Sequence, residues 1–443
     1  MLLLLSFFLV ACSPVSPDRV PVIALGDPVP SRTDALVHDA FVWQRVWQPA
    51  LDAAVQDIGA DMRRLLVLAA ELAWTEAGAP DVTVVEPHWG VLAARGRPVG
   101  IAVRSAVYTG EDWAGAGVRI GEVVAARVAA ARAAGVQVGE VHLDVDCPTA
   151  RLADYVGWLD AVKAAVPGVP LSITTLPDWQ NSPDFARLLA HVDSYVLQVH
   201  WLAPTNDWDD RALLDPVDAR AWVKDAARFG VPFRVALPTY GYGLGFDEAG
   251  RLVSVAAETR EAHGAKVLEV RAAPRAIAEL VAEWSKERPA AMEGIAWFRL
   301  PTALDRRGWA AVTLREVMKG TQPAPALRVR MMPDRTVTGS ATFDVVVDNV
   351  GSDTTGPGGV MVVVCPRGAP VRDMDTTEGV TDWEGRFSSD APIAPGSSRT
   401  LGWIRMDAGE VADGVVLGGY DHDAVEHACD GVRPVPAGLG APG

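Results

Sequence analysis

Short apolar runs and longer amphipathic stretches alternate along the chain from about residue 36 to residue 320. Short apolar runs are typical of buried strands, and apolar positions that recur every three or four residues are typical of helices. The strand-like runs lie at residues 41–47, 65–74, 99–106, 140–146, 170–176, 194–201, 233–240 and 294–300. Helical spacing is clearest over residues 117–134 and 152–166. Strands that alternate with helices in this number predict an α/β fold, a (β/α)8 TIM-type barrel over residues 36–320.

A doubly wound parallel sheet is the competing architecture. It requires a glycine-rich phosphate-binding turn after an early strand, and the sequence contains none at that place. Gly241, Gly243 and Gly245 do follow a strand, but no helix start signal comes after them. We therefore interpret this glycine cluster as a mobile loop between a strand and a helix of the barrel.

The pattern changes after Gly320. Residues 321–325 have the composition of a linker, and short strand-like runs separated by Gly, Pro, Asp and Ser follow them. This pattern predicts a small all-β sandwich over residues 326–433. The segment 341–351 resembles a strand and turn of a bacterial immunoglobulin-like module. The Pro/Gly/Ala-rich tail at 434–443 is expected to be disordered.

The N-terminus carries an apolar run that is too short to span a bilayer but suits a secretory signal. Leu9-Val10-Ala11-Cys12 resembles a bacterial lipobox, so residues 1–12 are predicted to be a lipoprotein signal peptide and Cys12 the lipidated residue. Residues 13–35 would then tether the barrel to the membrane. No Lys or Arg precedes the run, which indicates either a start further upstream or a weak signal. An ordinary signal peptide is the alternative to a lipoprotein signal. Either way, the protein is expected to be exported, and with the anchor it would stay in the cell envelope.

Charge and cysteine content narrow the function classes. The formal net charge is −16 and no long basic run is present, so nucleic acid is not expected as a partner. The sequence contains no Cys-x-x-Cys or His-Glu-x-x-His motif, and we expect neither a metal centre nor a cofactor. Cys365 and Cys429 could form a disulfide in an oxidising compartment.

The most informative stretch is His142-Leu143-Asp144-Val145-Asp146-Cys147-Pro148. It reads as a buried strand that delivers two carboxylates to one end. Alternate strand residues share a face, so Asp144 and Asp146 are expected to point the same way, with Cα atoms roughly 6.6 Å apart at about 3.3 Å per residue. Two ionised carboxylates this close repel each other, which suggests a functional site. The alternative is structural, with one aspartate capping the next helix and the other paired with an arginine.

Active sites of such barrels lie at the carboxyl ends of the strands. Reading each predicted strand at that end yields carboxylates, aromatic rings, and amide and guanidinium donors. Aromatic rings stack on the apolar faces of sugars while polar groups bind hydroxyls, so this inventory predicts a carbohydrate site. The predicted catalytic residues are Asp144, Asp146 and Glu71. The predicted substrate-binding residues are Gln198, His200, Trp201, Tyr240, Trp297, Arg299, Trp179 and Arg104. Trp158 and Trp222, inside predicted helices, are expected to be packing residues.

Several motifs resemble those of the bacterial family called domain of unknown function 3142. They are the Leu-Asp-x-Asp strand at 143–146, the Thr-x-Leu-Pro-x-Trp strand ending at Trp179, the Val-Leu-Gln-Val strand at 196–199, and the segments 237–241 and 295–299. The resemblance covers most of residues 36–320. It implies a glycoside-hydrolase-like barrel, and it implies no established activity.

The nearest chemical analogy is with the family 18 chitinase-like barrels. In that comparison Asp144 and Asp146 match the last two aspartates of the Asp-x-x-Asp-x-Asp-x-Glu strand, and Trp297 falls near the tryptophan of the pocket floor. Pro148 occupies the position of the general-acid glutamate, so the usual proton donor is missing.

Three interpretations follow. The chain is a glycoside hydrolase of the envelope with a rearranged acid pair, in which Asp146 is the acid and Asp144 or Glu71 its partner. Alternatively, the barrel binds a polysaccharide or oligosaccharide without cleaving it, which the missing glutamate favours. In the third, the aspartates hold a divalent cation with His142 or His200, although His142 is expected to lie deeper and fill the barrel. A scaffold that contacts a protein partner through the sandwich is a further class.

Overall fold

The computed structural model describes residues 19–75, 78–202, 212–257, 260–333, 341–355, 360–366, 373–376, 380–382, 386–389, 391–406 and 412–418. The predicted signal peptide, the predicted lipidation site Cys12, Cys429 and the predicted tail lie outside these residues, and so does the side chain of Cys365. The chain divides into two compact units, Met1–Ala311 with Met318–Gly320, and Val312–Val317 with Thr321–Gly443.

The elements up to Met318 follow in chain order. The strands are β1 Ser31–Arg32, β2 Val37–Val42, β3 Arg64–Trp74, β4 Pro80–Val84, β5 Val99–Ser105, β6 Val138–Val145, β7 Leu171–Thr175, β8 Ser194–Gln198, β9 Phe233–Pro238, β10 Gly241–Phe246, β11 Leu252–Ala257, β12 Lys266–Arg271, β13 Arg288–Pro289 and β14 Met292–Phe298. The α-helices are α1 Pro49–Gln56, α2 Trp89–Ala94, α3 Trp113–Ala133, α4 Leu152–Ala165, α5 Phe185–Leu189, α6 Pro216–Ala227, α7 Pro274–Lys286 and α8 Ala311–Met318. Three short 3-10 helices span Ile58–Asp61, Thr149–Arg151 and Pro177–Asn181. Within the described residues, no helix combines the length and the apolar character that a bilayer crossing requires.

Eight parallel strands close into a barrel. The hydrogen-bonded order is β2, β3, β5, β6, β7, β8, β9 and β14, and β14 pairs with β2 to complete the circle. β4 adds an antiparallel strand to β3. Each predicted barrel strand is present, with ends that differ by a few residues; the first begins at Val37 and ends at Val42 rather than spanning 41–47. The predicted (β/α)8 barrel is thus confirmed.

Alternate residues of each strand face the barrel interior, and the lowest interior layer is ionic. Asp39 on β2, Glu140 on β6 and Arg234 on β9 are 0–2 % exposed. Arg234 Nη1 lies 2.9 Å from Asp39 Oδ2 and 2.9 Å from Glu140 Oε1. Arg63 and Arg64 donate further hydrogen bonds to Asp39 and Glu140 respectively. These charges lie at the amino ends of the strands and leave the carboxyl ends open for a cavity.

Local sequence signals explain the helices beside the barrel. Asp215 accepts hydrogen bonds from the Val217 and Asp218 backbone N–H groups at 2.7 and 3.4 Å, and Pro216 begins α6 without loss of a needed donor. On α3, Gly117 permits close approach of α4, because a Cβ there would lie 2.9–3.0 Å from atoms of Trp158. Trp158 is fully buried, as expected of a packing residue.

The glycine cluster after β9 forms a strand, so its interpretation as a mobile loop is wrong. Gly241–Phe246 is β10, the middle strand of an antiparallel sheet with β11 and β12. Other groups pack directly on this strand: a Cβ at Gly245 would lie 2.0 Å from the His263 carbonyl oxygen, and one at Gly243 would lie 3.0 Å from the Arg307 guanidinium. The glycines are therefore explained by close packing.

The second unit contains two four-stranded sheets. Its strands are β15 Leu327–Pro333, β16 Ala341–Asn349, β17 Val360–Pro366, β18 Asp373–Thr376, β19 Val380–Asp382, β20 Arg386–Ser389, β21 Ser398–Met406 and β22 Ala412–Gly418. The sheet orders are β15-β16-β21-β18 and β19-β20-β17-β22, and all pairs are antiparallel. Both sheets contribute to one hydrophobic core, through residues such as Val345 and Val362. Its assignment as an immunoglobulin-like sandwich stays a prediction.

Candidate functional site

A cavity of about 1130 Å³ opens at the carboxyl ends of the barrel strands. Its wall contains side chains or loops from β2, β5, β6, β7, β8, β9, β14 and the inserted sheet β10–β12. Most of the residues predicted for the site line this cavity: Asp144, Asp146, Arg104, Trp179, Gln198, His200, Trp201, Tyr240 and Arg299. A cavity at this end of a parallel barrel is where such folds hold their ligands.

Three carboxylates meet around one guanidinium at the ends of β3, β5 and β6. Arg104 Nη2 donates to Asp146 Oδ2 at 2.8 Å, and its Nε and Nη1 lie 3.8 Å from Asp144 Oδ2 and 3.6 Å from Glu71 Oε1. Glu71 does not line the cavity; it is held from the other side by two hydrogen bonds from Arg45. The predicted acidic residues are thus brought together, with Glu71 one step behind the two aspartates.

The two aspartates differ in their surroundings. Asp144 has 22 % of its side chain exposed and Asp146 has 44 %. Burial raises the pKa of Asp144 to about 6; a hydrogen bond from Thr174 opposes the rise, and repulsion from Asp146 adds to it. Asp146 instead forms the closest ion pair with Arg104. One carboxyl of the pair therefore retains a proton into the weakly acidic range.

Buried polar side chains form the wall at the ends of β8 and β9. His200 is 3 % exposed, and burial lowers the pKa of its imidazole to about 3, so the ring is neutral at physiological pH. Its Nδ1 lies 3.3 Å from the Tyr240 hydroxyl, and Gln198 Nε2 donates to the His200 carbonyl at 3.1 Å. Arg299, just beyond β14, donates to Asp305 at 2.5 Å. A neutral histidine here can hydrogen-bond a ligand but cannot carry charge.

Aromatic rings line another part of the cavity. Trp201 is 40 % exposed, and its ring lies 4.9 Å from that of Trp222, centroid to centroid, at an interplanar angle of 33°. Trp222 lines the cavity from α6, so its interpretation as a packing residue is wrong. The helical spacing around Trp222 could not reveal this, because a ring at the edge of a helix can face either the barrel or the space above it. Trp179, also predicted for the site, is 1 % exposed and shows the cavity little surface.

Trp297 is placed away from the cavity. It is fully buried, stacks on His38 at 5.9 Å and donates from Nε1 to His38 Nδ1 at 3.2 Å. Its neighbour Phe298 lines the cavity instead. Successive strand residues face opposite sides, so a one-residue error in reading β14 exchanges the inner and outer sets. The expectation that Trp297 contacts a sugar is therefore corrected.

Cys147 follows the aspartates and lines the cavity as a free thiol. It is 5 % exposed, and burial raises the pKa of the thiol to about 12, so it is not a nucleophile at neutral pH. Among the described residues, no group of three or more His, Cys, Asp or Glu side chains is placed to hold a metal ion. The described residues therefore provide no ligand set for the divalent cation of the third interpretation.

Fold and site together define a (β/α)8-barrel protein with a carboxylate pair at the carboxyl end of β6. Residues 96–303 match the model of the family described as Domain of unknown function (DUF3142), which confirms over this range the resemblance expected from the sequence. No curated protein sequence is significantly similar to the chain.

Solved structures with a similar fold include two kinds of enzyme. The spore cortex-lytic enzyme SleL of Bacillus megaterium QM B1551 is 11 % identical, with 66 % of this chain and 75 % of that chain covered and a TM-score of 0.46. A family GH18 chitinase from Chromobacterium violaceum is 12 % identical, with 92 % and 96 % covered and a TM-score of 0.38. The assignment of the barrel rests on the strand order of this chain itself, because these similarities are distant.

Proposed function

We propose that this chain is a glycoside hydrolase that acts on a polysaccharide or oligosaccharide through the carboxylates at the end of β6. The observation that carries the proposal is that the two carboxyl groups have different surroundings. Burial raises the pKa of Asp144 to about 6, whereas Asp146 is ion-paired with Arg104 at 2.8 Å. Glycoside hydrolases usually cleave the glycosidic bond with two carboxyl groups, one of which keeps its proton because its pKa is raised.

In this mechanism Asp144 donates its proton to the glycosidic oxygen as the bond to the anomeric carbon breaks. Asp146, which is ion-paired with Arg104, acts on the anomeric centre, either directly or through a water molecule. This assignment reverses the sequence-based expectation, in which Asp146 was the acid. The reason is the different surroundings of the two groups: Asp146 accepts a hydrogen bond from Arg104, whereas burial raises the pKa of Asp144 so that it retains its proton.

The remainder of the cavity suits a sugar. Trp201 and Trp222 offer adjoining rings at the rim for the apolar face of a pyranose. Tyr240 and Gln198 add hydrogen-bonding groups to the lining of the same cavity. Polar atoms among aromatic rings are the composition expected where a polyhydroxylated ligand must be both stacked and hydrogen-bonded.

The test is a screen of polysaccharides and oligosaccharides that measures binding and released reducing ends for the same samples. We expect release whose kcat/KM falls as the pH rises through about 6, because only protonated Asp144 can serve as the acid. The anomeric configuration of the product distinguishes the direct role of Asp146 from the water-mediated one. Release that is independent of pH between 5 and 7 would remove Asp144 from the acid role.

A protein that binds glycans without cleaving them is the second candidate. Pro148 stands where family 18 chitinase-like barrels carry their general-acid glutamate. Binding in the screen without any release between pH 4 and 8 would favour this candidate, and the carboxylates would then serve as hydrogen-bond acceptors for sugar hydroxyls.

Removal of the exposed indole at the rim is expected to weaken carbohydrate binding in either case. Trp201→Ala should raise the Kd about two- to tenfold for an oligosaccharide that the wild-type chain binds, because a stacking contact contributes about 0.5–1.5 kcal/mol. Trp89→Ala is the matched control, since Trp89 is also partly exposed but lies on α2 outside the cavity. Calorimetric titration of both variants measures the difference. Equal affinities would place the sugar elsewhere in the cavity.

We also propose that the protein acts at the bacterial cell envelope, anchored by lipid at Cys12. The support is the sequence pattern Leu9-Val10-Ala11-Cys12 alone. An envelope location is compatible with a polysaccharide substrate outside the cytoplasm.

A further inference from the structure

We propose that His142 is a positioning residue for Asp144: Ser172 holds it in one tautomer, and it directs the Thr174 hydroxyl onto the Asp144 carboxylate. This inference rests on the proposed function only in treating Asp144 as the proton donor. It adds a set of positioning contacts below the site that control that donor, based on His142 and Ser172, which are fully buried and do not line the cavity.

The inference starts from a continuous chain of hydrogen bonds inside the barrel. His142 Nδ1 lies 2.8 Å from Ser172 Oγ, and His142 Nε2 lies 3.0 Å from Thr174 Oγ1. Thr174 and Asp144 both line the cavity, and hydrogen bonding from Thr174 lowers the pKa of the Asp144 carboxyl. His142 and Ser172 are fully buried, and Thr174 is 9 % exposed. His142 and Ser172 are register partners on β6 and β7, so the backbone itself sets their separation.

The histidine in this chain is neutral. Burial, aided by the nearby Arg234, holds the pKa of His142 well below its usual value. A neutral imidazole has one N–H donor and one acceptor nitrogen, so the two hydroxyl contacts cannot have the same direction. The tautomer of His142 therefore decides which way the hydrogen bonds run.

Only one direction delivers a hydrogen to Asp144. If Ser172 donates to Nδ1, then Nε2–H donates to Thr174 Oγ1, and the Thr174 hydroxyl is free to donate to the carboxylate. In the other direction, His142 Nδ1–H donates to the Ser172 hydroxyl, and that hydroxyl donates to the Val141 carbonyl at 3.4 Å. The Thr174 hydroxyl then donates to His142 Nε2. Asp144 then loses its donor. Both directions use the same two contacts of His142, but the first ends on a charged acceptor and the second on a backbone carbonyl 3.4 Å away, so the first is the stronger arrangement.

Other groups also face Asp144 and must stay constant in a test. They are Asp146 on the same strand end, Arg104 on β5, Glu71 on β3 and Tyr155 on α4. The ring of Phe41 on β2 packs against His142 at 5.2 Å, and Arg234 is the nearby charge on that side. None of these residues touches Ser172 in the contacts described above, so a change at Ser172 reaches Asp144 through His142.

The experiment measures the Asp144 pKa without any substrate. The full chain carrying ¹³C-labelled aspartate carboxyls is titrated by NMR, with the Asp144 signal assigned by its absence in Asp144→Asn. Thr174→Val keeps the shape and removes the hydroxyl, and it is expected to raise the Asp144 pKa by about one unit. Ser172→Ala is expected to raise it in the same direction by less. Thr174→Ser, which retains the hydroxyl, is the matched control and should leave it near the wild-type value.

A second measurement reads the tautomer directly. In ¹⁵N-histidine-labelled protein above pH 7, His142 is expected to carry its hydrogen on Nε2 in the wild-type chain and to lose that preference in Ser172→Ala. A hydrogen on Nδ1 in the wild type, or an unchanged Asp144 pKa in both Thr174→Val and Ser172→Ala, would overturn the inference. Because neither measurement involves hydrolysis, a failure of the proposed function leaves these outcomes readable, and the reverse also holds.

Discussion

Asp144→Asn is expected to lower the rate of reducing-end release by about 10²–10⁴-fold, the range that a positioned general acid contributes. The amide keeps the size of the carboxyl and can still accept a hydrogen bond from Thr174, but it has no proton to give to the leaving group. KM should change far less than kcat, because stacking on Trp201 does not involve this residue. The measurement is kcat and KM on the polysaccharide identified by the screen.

Stability measurements separate lost chemistry from lost structure. The pKa of Asp144 is about 6 in the folded chain against an ordinary value of 3.8, so the folded state binds this proton more tightly than the unfolded state. Stability therefore falls as the pH rises from about 4 to 6, by at most about 3 kcal/mol. Asp144→Asn removes that loss and should be at least as stable as the wild type at pH 7.

A matched control uses an aspartate outside the site. Asp218 is exposed on α6, and Asp218→Asn should change neither release nor stability. An Asp144→Asn variant with full activity would contradict the assignment of the acid. An inactive variant that is also unfolded would contradict the electrostatic argument.

Arg234→Met is expected to destabilise the barrel by about 3–5 kcal/mol. Burial disfavours the charge of Asp39, and its pKa stays below the usual value only because Arg63 and Arg234 bond to it. Methionine fills a similar volume but leaves Asp39 and Glu140 with fewer partners in a layer that water does not reach. The free energy of unfolding in urea, followed by tryptophan fluorescence, measures the loss.

Arg220→Met provides the comparison. Arg220 pairs with Glu283 at 2.7 Å, but both side chains are substantially exposed, and such pairs contribute about 0–1 kcal/mol. The contrast between the two variants tests whether the loss of stability depends on the burial of the ion pair or only on its presence. A loss below about 1 kcal/mol in Arg234→Met would show that the layer reorganises without this cation.

Much of the barrel was predictable because each strand is encoded locally. The run 140–146 is apolar on one side and bounded by turn residues, and β6 occupies Val138–Val145. The same locality predicted that Asp144 and Asp146 would share a site, since alternate strand residues share a face. The inserted sheet β10–β12 was missed because its glycines carry no strand signal of their own. They are required by His263 and Arg307, which approach from distant parts of the sequence.

The incorrect prediction that Trp297 lines the cavity has a related cause. Its strand is almost wholly apolar, as strands of a barrel buried on both faces are, so the pattern does not say which face is inside. Pairing of Ala296 with Asp39 and of Trp297 with Ala40 settles the matter, because Asp39 belongs to the interior layer. Trp222 was misjudged for a comparable reason, since helical spacing does not tell which tertiary surface the ring meets.

The sequence by itself therefore determined the order of the eight barrel strands, the closed barrel and the position of an acidic pair at the end of one strand. These properties depend on neighbours in the chain and on the periodicity of buried positions. Only the tertiary structure decided which carboxyl keeps its proton, which tryptophans reach the cavity, and how Ser172, His142 and Thr174 are joined beneath Asp144. Those outcomes depend on burial and on charges brought together from different strands, and no local pattern encodes them.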